Sequence, residues 1–269
     1  MIRVPDAALS DATAEALQAY QAEIDGESQY EQRVAIAAAR FGSRNRRDNR
    51  VFDEVKRTLD KMCSGARRCM YCEDSAADEV EHHHPKALYP ELVFRWENYL
   101  YACGPCNGPK NSRFGVIGQD GQIADVTRQR GGAVVAPLPG VSALLGPRAE
   151  DPLEFVMLDI AGDTFFFVPT GAAGTIEFAR AVFTIGLLRL NDRDYLPIAR
   201  REAYESYRAR LREYAEERES GAGEAVLRRR VAALLRMQHP TVWQEMKRQR
   251  ALVPELNRLF GRVPEAMNW

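Results

Sequence analysis

Hydrophobic positions recur at helical spacing through the first 65 residues of the chain. A run rich in Ala, Glu and Gln begins at Ser10, and Ser28 and Glu31 have the three-residue spacing of a capping box. Gly42 is predicted to end that second helix. A third helix is predicted from Asn49 to Met62, with one apolar face made of Val51, Phe52, Val55, Leu59 and Met62. These stripes indicate packing surface.

The pattern changes twice in the rest of the chain. Residues 115–151 are rich in Gly and Pro, which predicts a loop-rich connector. Two stretches rich in β-branched and aromatic residues, 154–160 and 164–168, flank Ala161-Gly162-Asp163 and predict a β-hairpin. From Thr175 to the end the spacing is helical again. The predicted class is therefore α+β and mostly helical.

These patterns divide the chain into four segments. Residues 1–65 form an N-terminal helical region with a basic stretch, and residues 66–114 form a compact unit rich in Cys and His. Residues 115–174 hold the connector and the hairpin, and residues 175–269 form a C-terminal helical region.

Composition excludes several classes of protein. Of the 269 residues, 45% are hydrophobic and 28% charged, which is typical of a globular chain with a sizeable core. With 37 basic and 38 acidic residues, the net charge is −1, so the protein is not a uniformly basic nucleic-acid binder. The first residues lack the apolar run of a signal peptide, and no run approaches the ~20 apolar residues of a spanning helix. We therefore expect a soluble, cytoplasmic protein with no membrane partner.

One local stretch departs from this balance. Residues 40–68 hold ten basic and four acidic side chains, a local net charge of +6. Such a run is typical of a solvated helix face. It is equally compatible with a phosphate-contacting surface, which makes Arg46 and Arg47 candidate nucleic-acid contacts.

Cysteine spacing gives the first sign of chemistry. Four of the five cysteines form two Cys-x-x-Cys pairs, Cys69 with Cys72 and Cys103 with Cys106. Two such pairs can close one tetrahedral structural zinc site, which leaves no open position for water. The alternatives are a redox pair or buried thiols without a ligand. Cys63 has no partner at ligand spacing and is predicted to lie in the core.

The groups suited to hydrolysis lie between and just after these pairs. Three of the four histidines are consecutive, His82 to His84, and Glu81 precedes them. A carboxylate and an amide oxygen, from Glu81 and Asn107, can hold a divalent ion, and a neutral imidazole can act as general base. The alternative is that the histidines coat a turn or bind zinc themselves.

The segment from about Arg68 to Phe114 resembles the HNH endonucleases, which have the ββα-metal fold. The resemblance rests on Glu81-His82-His83-His84-Pro85, on Asn98, and on Asn107 and Lys110 after the last cysteine. It implies that His82 is the general base and that Glu81 and Asn107 hold a catalytic Mg²⁺ or Mn²⁺. It further implies that Asn98 braces the loop that orients His82.

The resemblance also bears on substrate and partners. It implies DNA as substrate, with Lys86 and Lys110 as further nucleic-acid contacts, although Lys110 could equally be a solvated helix residue. Cys-x-Tyr-Cys-Glu and Glu-His-x-x-Pro-Lys are similar to the HNH subunits of Septu-type and retron-associated anti-phage systems. Those subunits work with an SMC-like or ABC-type ATPase, so such a partner is expected.

Two other functions are compatible with parts of the sequence. The basic stretch and a Cys₄ site would suffice for a zinc-dependent DNA-binding or regulatory module without catalysis. The helical regions alone would suffice for a scaffold that docks an ATPase. Glu81-His82 has no purpose in the DNA-binding module, which favours the nuclease over it, and docking an ATPase would not exclude nuclease activity.

Overall fold

The computed structural model describes all 269 residues, of which about half are helical. The helices are α1 (Asp11–Asp25), α2 (Tyr30–Arg44), α3 (Arg50–Met62), α4 (Gly104–Lys110), α5 (Ile176–Leu187), α6 (Tyr195–Glu219), α7 (Glu224–Leu235), α8 (Pro240–Arg248) and α9 (Pro254–Arg262). The strands are β1 (Glu79–His82), β2 (Tyr99–Ala102), β3 (Gly115–Ile117), β4 (Ile123–Asp125), β5 (Val141–Ser142), β6 (Val156–Leu158) and β7 (Phe167–Pro169). The predicted α+β class is confirmed, but helices occupy about half of the chain rather than most of it.

The ends of the first three helices agree only in part with the signals in the sequence. The Ser10 hydroxyl accepts a hydrogen bond from the Thr13 amide at the start of α1, and the Asn49 side chain caps α3. The capping box expected at Ser28 is wrong: α2 begins at Tyr30 without a side-chain cap, and the Ser28 hydroxyl contacts Glu27 instead. Gly42 lies inside α2 rather than ending it.

A two-stranded hairpin followed by a short helix forms the part of the fold that carries the candidate site. Strands β1 and β2 are antiparallel, with His82 opposite Tyr99 and Glu81 opposite Leu100. Only Cys103 separates β2 from α4. Helix α3 packs on β2 through its apolar face, which buries Phe52.

The segment 115–174 contains more strand than its composition predicts. Strands β3, β4 and β5 form a small antiparallel sheet in the order β4-β3-β5. Each is two or three residues long, which is too short for an alternating pattern to show in the sequence. The later hairpin is confirmed: β6 pairs with β7 in antiparallel register, with Met157 opposite Val168.

One buried apolar core joins the four segments. It includes Phe52 from the N-terminal region, Tyr99 from the hairpin, Leu158 from β6 and Leu211 from α6. The segments therefore pack around a shared core rather than as separate units. None of the helices combines the length and apolar character that crossing a membrane requires.

Candidate functional site

Four cysteine sulfurs lie together beside the hairpin. The ligand atoms of Cys69, Cys72, Cys103 and Cys106 all fall within 4.8 Å of one another, and all four residues are buried. The Sγ atoms of Cys72 and Cys103 are 3.7 Å apart. Four sulfurs at zinc–thiolate distance in a tetrahedron would be ~3.8 Å apart, so this cluster fits Zn²⁺.

Local backbone geometry explains how the four sulfurs meet. Cys69 and Cys72 lie in a turn in which the Glu73 amide donates to the Cys69 carbonyl, and Glu73 has a positive φ of 62°. Cys103 caps α4, and Cys106 lies in its first turn. The Met70 amide donates to the Tyr101 carbonyl, which attaches this turn to β2.

The C-terminal region also reaches the sulfur cluster. The guanidinium of Arg193 donates a hydrogen bond to Cys106 Sγ, with an Nη2–Sγ distance of 3.3 Å, and a second to the Leu188 carbonyl. Arg193 is buried. Its positive charge therefore lies where four zinc-bound thiolates would concentrate negative charge. Cys63 stays outside the cluster, and burial raises the pKa of its thiol to about 12.

A cavity of about 420 Å³ opens between α2, β1 and α4. It is lined by Glu81, His82 and Asn107, three of the side chains that the sequence assigned to hydrolysis. Lys86 lines the same cavity, and its ammonium nitrogen lies 5.3 Å from the centre of the Phe41 ring. The structure thus brings together a carboxylate, an imidazole and an amide from two elements, although His82 and Asn107 are 25 positions apart in the sequence.

His82 is held rigidly in this cavity. Its ring packs edge-on against Phe41 and Tyr99, with centroid distances of 4.5 and 5.2 Å, and only 3% of the residue is exposed. Its Nε2 lies 2.9 Å from the Val93 carbonyl oxygen, which can only accept a hydrogen bond. Burial, followed by the charge of Lys86, lowers the pKa of His82 to about 3. The ring is therefore neutral near pH 7, with its proton on Nε2 and a free lone pair on Nδ1.

Glu81 is buried and forms an ion pair with Lys110 of α4. The Lys110 ammonium also donates to the His82 carbonyl oxygen at 2.8 Å. Burial raises the pKa of the Glu81 carboxyl, and the positive charge of Lys110 opposes that rise. Lys110 has 0% exposure, so the interpretation of a solvated helix residue is wrong. To touch a phosphate, its ammonium would have to leave these partners.

The sequence gave no role to Glu79, which contacts Asn107 in the cavity. The side-chain NH₂ group of Asn107 donates a hydrogen bond to a carboxylate oxygen of Glu79. The side-chain oxygen of Asn107 is therefore left available as a ligand for a cation. Glu79 precedes Glu81 by two residues in β1, and residues at that spacing face the same side of a strand. That alternation was the available signal.

Asn98 lies outside the cavity and holds the loop between β1 and β2. Its side-chain oxygen accepts from the His84 amide at 2.8 Å, and its nitrogen donates to the carbonyls of His84 and Leu92. These bonds fix the chain on both sides of the loop that includes Val93, the partner of His82. The geometry is that of a positioning residue rather than one that touches a reacting atom.

The remaining predicted residues lie away from the cavity. Arg46 and Arg47 are exposed in the turn between α2 and α3, and Arg46 lies 3.8 Å from Asp48. His83 and His84 line a separate cavity, and His83 Nε2 also lies 3.1 Å from the Ser142 hydroxyl oxygen. Of the three consecutive histidines, only His82 lines the cavity with Glu81 and Asn107.

Comparison with known proteins relates one stretch of the chain to a bacterial protein. The chain is 46% identical over 63 residues to the Septu protein PtuB of Bacillus thuringiensis. The match covers 22% of this chain and 24% of that protein, so the chain spans about a quarter of the length of the curated relative it matches. No protein-family profile matches the chain, and no solved structure does. Over that stretch the chain is similar to a Septu protein.

Proposed function

We propose that the protein is a metal-dependent HNH endonuclease that hydrolyses phosphodiester bonds of DNA. The observation that carries this proposal is one cavity that combines a neutral, rigidly held imidazole with a carboxylate and an amide oxygen, His82 with Glu81 and Asn107. The hairpin-and-helix framework that carries them, β1, β2 and α4, has the element order of the ββα unit. The four-sulfur cluster supports the same helix.

His82 acts as the general base in this proposal. Because Nε2 faces the Val93 carbonyl, Nδ1 accepts the proton of a water molecule while the water oxygen bonds to phosphorus. The bond from phosphorus to the departing sugar oxygen then breaks. Glu81 and Asn107 would hold Mg²⁺ or Mn²⁺, whose charge, when bound, stabilises the departing oxyanion.

Other residues position these groups or contact the substrate. Asn98 fixes the loop that presents the Val93 carbonyl, and Glu79 orients the Asn107 amide. Lys86 at the cavity and Arg46 and Arg47 on the surface are proposed to contact the nucleic-acid backbone, which positions the substrate without reading its sequence. Zn²⁺ at the sulfur cluster has a structural role, since four protein ligands leave no open position.

The similarity to a Septu protein extends the proposal to anti-phage defence in the bacterial cytoplasm. In it the nuclease is the effector, and an SMC-like or ABC-type ATPase, a PtuA-like subunit, is the partner. Copurification of the chain with a PtuA-like ATPase tests this part separately from the chemistry.

Incubation of the purified full chain with plasmid DNA and Mg²⁺ or Mn²⁺ tests the nuclease. His82→Ala removes the base and is expected to lower the cleavage rate by about 10²–10⁴-fold while zinc content and fold persist. His84→Ala is the matched control, because this neighbouring histidine does not line the cavity. If the wild type is silent alone, the assay is repeated with the ATPase. Full activity of His82→Ala would reject the assignment.

A second function has an observation in its favour. The Glu81 carboxylate is already paired with the Lys110 ammonium. Arg46 and Arg47 lie outside the cavity, on an exposed turn. Both features suit a zinc-dependent DNA-binding or regulatory module without catalysis. If the protein is such a module, its affinity for DNA should fall steeply as the salt concentration rises, and it should not nick DNA with Mg²⁺ or Mn²⁺.

A further inference from the structure

Lys110 is unusual among the charged residues of this protein because it has no exposed surface. It is the last residue of α4, and its ammonium reaches back to two acceptors from β1, the Glu81 carboxylate and the His82 carbonyl. A lysine is almost never fully buried unless it is paired. The structure thus places a built-in cation in contact with the only buried carboxylate of the cavity.

Two cations cannot share this carboxylate without cost. The contact is with Glu81 Oε1, the kind of oxygen that Mg²⁺ or Mn²⁺ prefers. An ammonium and a divalent ion on one carboxylate repel each other, and the low dielectric of a buried site strengthens that repulsion. Without any cation, the buried Glu81 charge would be uncompensated, which is strongly destabilising.

We propose that Lys110 is a resident counter-ion that a divalent cation must displace from Glu81. Lys110 then has two effects: it stabilises the site when no metal is bound, and it weakens the affinity of the site for metal. This inference rests on the proposed function, because it takes Glu81 as a ligand of the catalytic ion. It differs from the expectation that Lys110 contacts a phosphate.

The position of Lys110 allows this exchange with little rearrangement. Lys110 follows Asn107 by three residues on α4, so a second proposed ligand and the competing ammonium lie on neighbouring positions of one helix surface. The helix ends at Lys110, and Asn111 adopts a positive φ of 39°. Because Lys110 is fully buried, the exchange needs a local shift of the Lys110 ammonium away from Glu81 rather than a swing of the whole side chain. The bond from the Lys110 ammonium to the His82 carbonyl can persist when Glu81 is released.

Calorimetric titration of the zinc-loaded full chain with Mn²⁺, in the absence of DNA, tests the exchange. Lys110→Met keeps an unbranched side chain that is only one atom shorter and removes its charge, and is expected to tighten Mn²⁺ binding about tenfold or more. Lys110→Arg keeps the charge and is expected to bind Mn²⁺ as weakly as the wild type. Glu81→Gln should abolish this Mn²⁺ binding both in the wild type and in combination with Lys110→Met. Circular dichroism and zinc content verify that each variant folds. If Lys110→Met does not fold, Lys110→Gln replaces it, because the glutamine amide can still donate to the His82 carbonyl.

The outcomes separate this inference from the proposed function. Tighter binding in the neutral variants that depends on Glu81 supports the counter-ion role. Glu81-dependent binding that is equal or weaker without the Lys110 charge overturns that role and leaves the nuclease proposal intact. Absence of any Glu81-dependent Mn²⁺ binding in the wild type and in the neutral variants overturns both.

Discussion

The sulfur cluster and the cavity both include residues of α4, yet their side chains are arranged in different ways. The cluster uses four identical ligands that are all buried and all within 4.8 Å, and the Arg193 guanidinium donates to one of the four sulfurs. The cavity uses different donors, and each is already engaged: Glu81 by Lys110, His82 by Val93 and Asn107 by Glu79. A structural metal site needs all of its ligands on one ion, with no open position. A catalytic site needs groups whose hydrogen bonds position them but leave an atom able to bind metal or water.

The largest expected effect comes from breaking the cluster. Cys106→Ala removes one thiolate, and since the binding energy of structural zinc is folding energy, we expect loss of zinc and of the cooperative melting transition. Cys63→Ala is the matched control, because this thiol lies outside the cluster, and it should keep its zinc. Zinc analysis with thermal melts measures both. An unchanged melt and zinc content for Cys106→Ala would mean that the cluster is not a metal site.

A smaller effect is expected from the burial of the imidazole in the cavity. The pKa of His82 is about 3 in the folded chain against 6.5 for an exposed histidine, so between these values the unfolded chain binds more protons. Stability therefore falls as pH drops below about 6.5, and His82 contributes about 2 kcal/mol of that loss between pH 7 and pH 5.

Urea unfolding of the wild type and of His82→Gln at several pH values isolates this contribution. The variant lacks the titrating ring, so its stability should fall less over the same range. Parallel curves for the two proteins would show that His82 is solvated rather than buried.

The smallest effect concerns the link between the cluster and the C-terminal region. Arg193→Gln removes the charged donor to Cys106 Sγ and is expected to weaken zinc retention by about 1–2 kcal/mol. Arg189→Gln is the control, since Arg189 is exposed and its side chain makes no contact with the cluster. Competition with a chromogenic chelator measures the difference. Equal retention in the two variants would leave Arg193 as a packing residue only.

The same contrast explains what the sequence could predict. Cysteine spacing predicted the sulfur cluster because all four ligands are specified by local turns. The resemblance placed Glu81, His82 and Asn107, and the structure brings these three to one cavity. The pairing of Lys110 with Glu81 escaped prediction because it depends on how closely α4 approaches β1, and no local pattern records that distance.

Fold prediction failed where local signals were short or ambiguous. Ser28 and Glu31 have the spacing of a capping box, yet the side chain of Ser28 turns to Glu27. Strands β3 to β5 are too short to show alternation, so only their glycine- and proline-rich connections were visible. The long periodic stretch of α3 was predicted to within one residue, because thirteen residues carry a clear apolar face.

The adjacency of Cys106 and Asn107 on one seven-residue helix has a practical consequence. An oxidant or chelator that strips the cluster would loosen the helix that carries Asn107 and Lys110. Reagents that attack sulfur would then stop the proposed hydrolysis without entering the cavity, and inactivation would follow the chemistry of thiols rather than that of the substrate.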